Sequence, residues 1–346
     1  EGPYKVKILL KEPFPAALEF LSGANPIYPK DYYAKVGPKG FGMAPIGTGP
    51  YKVTELEPGK KVVMVKNEDY FKDSPKGQPS IGKIVWRTLP EMNTQVAELM
   101  TGSLDWIWLV APDQAERLAK MPNLTVIPAE TMRVGFIMMD AADRTGEQGM
   151  ENPFKKLEVR RAVNHAINKG AISKSLVGGD SRSVDSACFP TQFGCTDDVM
   201  KYEYDPEKAK KLLAEAGYPD GFETILYGYR NRPYAEAMVG DLAAVGIKAK
   251  LMMMKYSALR EKHRAGKVQF NFQTWGSYSI NDVSAFVSYF FEFSEDDMAR
   301  DPQVRDWLLE ADTSIDSEKR KMLYKKALQR IAEQAYFAPL FTYVSN

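Results

Sequence analysis

From residue 222 to 275 the chain alternates two periods, and this restricts its folding more than any other feature. FETILYGY reads as a strand, RPYAEAMVGDLAAVG as a helix, IKAKLMMMKY as a strand, SALREKHRAGK as a helix and VQFNFQTWG as a strand. Strands separated by helices of this length imply right-handed crossovers, so a mainly parallel sheet flanked by helices is expected. The Met252, Met253, Met254 run is expected to face a core, although methionines also line adaptable pockets. Upstream, YDPEKAKKLLAEAGYPDGFE carries helix signals in the right order: Asp205 at the N-cap, Pro206 in the first turn and Gly217 past the end. FKKLEVRRAVNHAINKGAISKSLVG is expected to be one long amphipathic helical stretch, with Val159, Ala162, Val163 and Ala166 as its buried stripe. His165 lies beside that stripe and reads as a packed or capping histidine rather than a ligand or catalyst. A closing helix, SEKRKMLYKKALQRIAEQ, leads to AYFAPLFTYVSN, a last strand expected to cross elsewhere.

The first portion is built differently. YKVKILLKE, YKVTELEPGKKVVMVKN and IGKIVWRTLP read as strands, with EPGKK as a hairpin connection. A helix follows at MNTQVAELMTG, where Asn93 can cap and Gly102 can end it, then a short apolar strand SLDWIWLV, the helix APDQAERLAKM and the strand LTVIPAE. Ahead of the second of these strands stands PIGTGPYKV, where Gly47 and Gly49 can take positive φ or admit a neighbouring backbone, and Pro50 fixes its own φ. A glycine-rich turn that cradles phosphate needs a helix behind it and a Lys with Ser or Thr. A strand follows here, so a tight corner is the reading and nucleotide binding is disfavoured.

With 346 residues the chain exceeds one ordinary domain, and two lobes are expected. Basic and acidic residues nearly cancel, 46 against 45, so neither nucleic acid nor an anionic membrane is expected as partner. No apolar run approaches the roughly 18 residues of a membrane helix. The opening EGPYKVKILLKEPF lacks Met and a signal-peptide pattern and is already strand-like; a mature or shortened chain is expected. Cys188 and Cys195 stand in ACFPTQFGC, a loop bent by Pro190 and Gly194. A disulfide within that loop is expected first, with two unpaired thiols and a metal site left open behind it; further Cys or His for zinc are lacking nearby. A disulfide would imply an oxidising compartment.

Catalytic chemistry finds little support. His165 and His263 are the only histidines and neither stands near a nucleophile elbow. Among the acids, only Asp105 in LDWIW has an apolar setting, and it reads as a polar strand end. The aromatics are more telling. Trp106 and Trp108 fall at one expected strand end, Tyr227, Tyr229 and Arg230 at another, Trp275 and Tyr278 at a third. Open α/β sheets bind ligands outside the carboxyl ends of their strands, and aromatics with a few polar groups line small-molecule clefts.

The order PIGTGPYKV, VKNEDYF, IGKIVWRTLPEMNTQVAELMTGSLDW, FKKLEVRRAVNHAINKGAI and YDPEKAKKLLAEAGYPDGFE resembles the extracellular solute-binding proteins of the dipeptide, oligopeptide and nickel class, receptors of ATP-driven importers. The resemblance runs over most of the chain. It implies an α/β, periplasmic-binding-protein-like (type II) bilobal fold, shortened here at its N-terminal side, with mixed sheets and flanking helices. Residues 1–130 would be part of the first lobe, 131–338 the distal lobe, and 339–346 a strand returning toward the first lobe. It further implies a periplasmic, monomeric receptor without enzymatic activity, cofactor or metal, which binds a peptide-like solute between lobes and presents it to a membrane permease. The expected ligand-binding residues are Trp275, Gly276, Ser277, Tyr278, Tyr229, Arg230, Arg133, Trp106 and Trp108; a structural salt bridge is an equal reading for Arg133. Peptide-binding members carry an aspartate shortly after a Trp-Gly pair to meet the peptide amino terminus. Here FQTWGSYSINDVSAF has Trp275 and Gly276, but Tyr278 at the aspartate position and Asp282 four residues later. That departure brings in a blocked peptide, an opine-like or sugar-derived solute, or a metal chelate. The rival classes are a carboxylate-dependent hydrolase and a holdase that catches unfolded chains on its Met and aromatic surface.

Overall fold

The computed structural model describes residues 5–24 and 26–346, which form two compact units: one made of 5–23 and 111–346, the other of 24–110.

The smaller unit holds α2 (Lys30–Met43), bent at Gly37, then β1 (Tyr51–Glu57), β2 (Lys61–Lys66), β3 (Lys83–Arg87) and α3 (Met92–Met100). The strands make an antiparallel sheet in the order β1, β2, β3, with the EPGKK hairpin closing Glu57 onto Lys61. Asn67 ties down the PIGTGP turn: its side-chain amide donates to the Gly49 carbonyl at 3.0 Å. Gly47 and Gly49 keep negative φ, and nothing lies within 4 Å of where a Cβ would stand, so this corner does not need their freedom. Residues 103–110 are not a strand, and neither are 5–11; an extended segment becomes a strand only where a neighbour completes its ladder.

α1 (Ala17–Ala24) reaches the boundary between the units. The larger unit continues through α4 (Pro112–Leu118), β4 (Ala129–Met139), α5 (Leu157–Ala166), α6 (Lys169–Ile172), α7 (Pro206–Glu215), β5 (Phe222–Gly228), α8 (Arg232–Ala243) and β6 (Ile247–Met253). It closes with α9 (Tyr256–Arg264), β7 (Phe270–Trp275), α10 (Ser284–Phe291), α11 (Pro302–Thr313), α12 (Ser317–Glu333) and β8 (Phe337–Ser345). Its sheet runs β6, β5, β7, β4, β8. Pairing is parallel between β5 and β6 and between β5 and β7, as the alternation of strand and helix requires. β4 is antiparallel to both β7 and β8, so the sheet is mixed rather than mainly parallel. Neither junction is spanned by a single crossover helix, which is what enforces parallel pairing. The closing strand does not depart: it pairs with β4 from Phe337 opposite Met138 to Ser345 opposite Ala129.

β4 shows why the core sits on both faces of the sheet. Phe136 and Met138 pack with Phe286, Phe290, Leu328 and Phe337 on the face of α10 to α12. Ile137 and Met139 pack with Val159, Val163, Leu213, Leu226 and Met238 on the face of α5, α7 and α8. A strand buried on both sides reads as a continuous apolar run, which VGFIMM is. Phe136 stacks on Phe337 at 4.8 Å, and burying one such ring contributes about 1.5–3 kcal/mol. The expected stripe of α5 is fully buried. The long stretch is not one helix, however, because Asn168 starts a new one by accepting from the Ala171 N–H at 3.0 Å. Asp205 caps α7 by accepting from the Lys208 N–H at 2.9 Å.

Cys188 and Cys195 are joined in a disulfide with their Cα atoms 5.8 Å apart. The loop between them holds the turn that follows β7. Gln192 Nε2 donates to the carbonyls of Ile280 (2.9 Å) and Asp282 (3.2 Å), and the Phe193 N–H donates to Asn281 (3.0 Å). Gly194 has φ +83°, and a Cβ there would stand 2.5 Å from the Tyr324 ring, so only glycine fits between ring and loop.

Candidate functional site

The carboxyl ends of β5, β6 and β7 point to one end of the sheet, and the antiparallel β4 begins there. Each contributes to one cavity of about 330 Å³, lined by Arg133, Tyr229, Arg230, Tyr256, Thr274, Trp275, Gly276, Ser277, Tyr278 and Ser279. Short runs past the strand ends place these groups: Tyr229 and Arg230 follow β5, Tyr256 follows β6, and residues 276–279 follow β7.

Two aromatic pairs wall the cavity. Trp275 is held as a rigid plate, its indole N–H donating to the Ala285 carbonyl at 2.7 Å and its ring stacked on Tyr289 at 4.4 Å. Tyr278 stands edge-on to it at 5.2 Å and is 59% exposed. Across from these, Tyr229 packs on Tyr256 at 5.0 Å, where burial pushes the Tyr256 phenol up. Residues Ser277, Tyr278 and Ser279 all have φ between 47° and 60°. Three successive left-handed residues without a glycine are sparsely populated backbone, of the kind that gathers at ligand sites.

The polar groups are cationic. Arg133 on β4 donates from Nη1 to Thr274 Oγ1 at 2.8 Å, and the Tyr229 hydroxyl shares that oxygen at 2.8 Å. Its guanidinium lies against Gly276, where a Cβ would meet Nη2 at 3.1 Å. Burial, followed by the like charge of Arg230, holds Arg133 below the ordinary arginine value. Arg230 lies over the Tyr343 ring at 5.8 Å. No Asp or Glu lines the cavity. Asp282 is committed elsewhere, buried in an ion pair with Arg320 at 2.8 Å and capping the Ser284 hydroxyl and N–H.

Seven of the residues singled out in the sequence thus share one concavity: Arg133, Tyr229, Arg230, Trp275, Gly276, Ser277 and Tyr278. Trp106 and Trp108 do not lie at a strand end. They belong to the smaller unit, where they gather with Trp86 at centroid distances of 5.7–6.3 Å, both half or more exposed. Tyr256, Thr274 and Ser279 were missed. Tyr256, just past MMM, carried the same strand-end signal as Tyr229.

The histidines are structural. His165 bonds the Glu203 carbonyl through Nδ1 at 2.8 Å, and His263 bonds Asp296 and Asn271 with its pKa lowered by burial to about 4. Among the described residues no group of His, Cys, Asp or Glu has the makings of a metal site. The acids differ from expectation. Asp105 is exposed, whereas burial pushes up Asp140, Asp297, Glu292 and Asp312, the last two beside each other at the ends of α10 and α11. None of these lines the cavity.

The family model for bacterial extracellular solute-binding proteins, family 5 (middle) matches residues 1–297. The glutathione-binding protein GsiB of Salmonella paratyphi A is 30% identical over 356 residues, covering 98% of this chain and 67% of that protein. Heme-binding protein A of Haemophilus influenzae is 29% identical, covering 93% and 59%. Among solved structures, the ABC transporter-associated periplasmic binding protein DppA from Helicobacter pylori in complex with peptide STSA superposes with a TM-score of 0.79 at 26% identity, over 97% of this chain and 67% of that one. NikA from Brucella suis in complex with Fe(III)-EDTA gives 0.80 at 26% identity, over 99% and 72%. The chain thus spans about two thirds of the GsiB and DppA chains. With an α/β type II periplasmic-binding fold and a match across most of its length, the chain belongs to the bacterial extracellular solute-binding proteins of family 5.

Proposed function

We propose that the cavity at the tips of β5, β6 and β7 is the distal-lobe wall of a solute-binding cleft, in a monomeric, non-catalytic periplasmic receptor that hands a peptide-like solute to an importer permease. The observation that carries this is the convergence of two aromatic pairs and two arginines on one concavity where the parallel strands end. Closure follows from differential contact, since the solute touches both lobes only in the closed state. In this reading residues 1–130 contribute to the first lobe and 131–338 form the distal one. Trp106 and Trp108 are assigned to the first-lobe wall. The disulfide accords with an oxidising compartment.

By the resemblance Tyr278 stands where peptide-binding members carry the amine-binding aspartate, and Asp282 is held by Arg320. On this reading a blocked peptide, an opine, a sugar derivative or a chelate stands beside a simple peptide as a candidate solute. Titrating such solutes while following tryptophan emission tests the reading. Saturable quenching that Trp275→Ala abolishes is expected, with no turnover of chromogenic glycosides or peptides. Unchanged affinity and quenching in Trp275→Ala would refute the assigned pocket.

A further inference from the structure

We infer that Asp296 is a positioning residue of the cavity: without lining it, Asp296 locks Tyr289 behind Trp275 and ties that wall to α9, the helix that carries Tyr256 of the other wall. The inference rests on the receptor reading and adds to it the side chain that holds the two aromatic walls at a fixed separation.

Trp275 is backed from outside. Its ring stacks on Tyr289 at 4.4 Å with the planes 23° apart, and Tyr289 itself does not line the cavity. Stacking sets the height of one ring over another but resists sliding only weakly. What stops Tyr289 from sliding is its hydroxyl, which donates to Asp296 Oδ2 at 2.9 Å and accepts from Arg260 Nη2 at 3.0 Å. Asp296 Oδ2 also accepts from Arg264 Nη2 at 2.7 Å. Burial by itself would raise the Asp296 carboxyl, but Arg264 and Tyr289 outweigh it and hold the group below its ordinary value. It is therefore a carboxylate at neutral pH, and its hydrogen bonds are of the stronger, charge-assisted kind.

The tie joins two walls because of where its ends are anchored. Tyr256 and Arg260 stand one turn apart on α9, which puts them on one face, and Arg264 follows a turn later. The Asp296 carbonyl accepts from His263 Nε2 at 3.2 Å, while His263 Nδ1 accepts from Asn271 on β7 at 3.0 Å. Asp296 thus grips α9 at His263 and Arg264 and reaches Trp275 through Tyr289. Its own place in the chain is also fixed. Ser294 Oγ donates to the Tyr289 carbonyl at 2.9 Å and accepts from the Asp296 N–H at 3.2 Å. The next residue, Asp297, accepts from the N–H groups of Phe293, Ala299 and Arg300 at 2.8–3.0 Å. At 7% exposure, Asp296 has little water to take over its bonds. A binding site needs its walls locked by groups standing behind them, and Asp296 is placed to do this for both at once.

The test reads Trp275 directly, in the whole chain without solute. Its indole N–H, held by the Ala285 carbonyl, gives an NMR signal in 15N-labelled protein whose position reports the ring stacked behind it and whose hydrogen exchange reports local opening. Trp307 on α11 serves as the control, and Trp275→Phe and Trp307→Phe assign the two signals. Asp296→Asn keeps the shape and drops the charge; the Trp275 signal should move and exchange about tenfold faster, with Trp307 unmoved. Tyr289→Phe leaves Asp296 paired with Arg264, so the fold is kept, and should speed exchange roughly 10- to 100-fold. The double variant should go no further than Tyr289→Phe, because both changes cut one bond. Arg260→Met, on the other wall, should move the Trp275 signal as well. A Trp275 signal that keeps its position and exchange rate in Asp296→Asn and Tyr289→Phe while the urea midpoint falls would show a merely structural bond and overturn the inference. A Trp307 signal displaced as far as that of Trp275, additive effects in the double variant, or no response to Arg260→Met would overturn it too. The receptor reading is untouched by these results, since the Trp275→Ala titration tests it separately.

Discussion

Replacing Arg320 by Met would strand a carboxylate behind the turn that builds the cavity. Asp282 is 4% exposed; its Oδ2 accepts from Arg320 Nη2 at 2.8 Å and its Oδ1 from the Ser284 hydroxyl at 2.7 Å and N–H at 3.1 Å. Arg320 also donates to the Ala311 carbonyl at 3.1 Å and lies over the Phe193 ring at 4.8 Å. Methionine keeps the aliphatic stem and removes the charge. Breaking a buried pair from one side costs about 3–5 kcal/mol, and the two Ser284 donors that remain on Asp282 place this case near 3. A urea slope of about 3 kcal/mol/M converts that to a midpoint lower by about 1 M. Asp282→Asn keeps an oxygen acceptor for Ser284 and should cost less. The double variant should cost clearly less than the sum of the two, because neither charge is then left alone. Urea unfolding followed by circular dichroism, with solute binding measured in parallel, gives both readouts. Solute affinity should fall in Arg320→Met at urea concentrations well below its transition, since residues 276–283 lose an anchor. A single-variant loss under about 1 kcal/mol, or additive single variants, would refute the argument that this pair fastens the turn.

Removing the disulfide with Cys188→Ser and Cys195→Ser should lower stability by about 2.5 kcal/mol, the chain-entropy value for a loop this short, and loosen the turn that Gln192 and Phe193 hold; thermal melting and solute titration check both effects. Burial and the neighbouring Asp312 push the Glu292 carboxyl up to about 8 from its ordinary value of 4.5. The folded protein therefore keeps a proton that the unfolded chain releases near pH 4.5. Stability is fully present below that pH and is lost as pH rises toward 8, at no more than about 1.4 kcal/mol per unit and less for a partly exposed group. Glu292→Gln should flatten the stability profile over that window, as urea midpoints across pH would reveal; an unchanged profile would refute the assignment.

Periodicity and punctuation determined much of this fold without help. Asp205, Pro206 and Gly217 mark α7 because capping and φ are local properties, and the strands and helices of 222–275 stand where their periods place them. Asp301 and Pro302 carried the same start signal for α11 and were legible, though unread. SAFVSYFF was not legible as α10, because a helix buried on most sides shows no polar face to give its period away. Family motifs pointed to Trp275, Gly276, Ser277 and Tyr278, and strand ends to Tyr229 and Arg230. What only the tertiary structure decided was pairing and proximity. Nothing in IWLV says whether a neighbouring strand will complete its ladder, and none does so among the described residues. Arg133 and Arg230, 97 positions apart in the chain, share a cavity because β4 runs antiparallel to β7 and starts where β5 ends. Asp282, four residues past the aspartate position, is held away from the cavity by Arg320, from a helix whose position local sequence does not give. Local conformation depends on a few adjacent residues, whereas the charge and shape of a cavity depend on which distant residues the sheet order brings together.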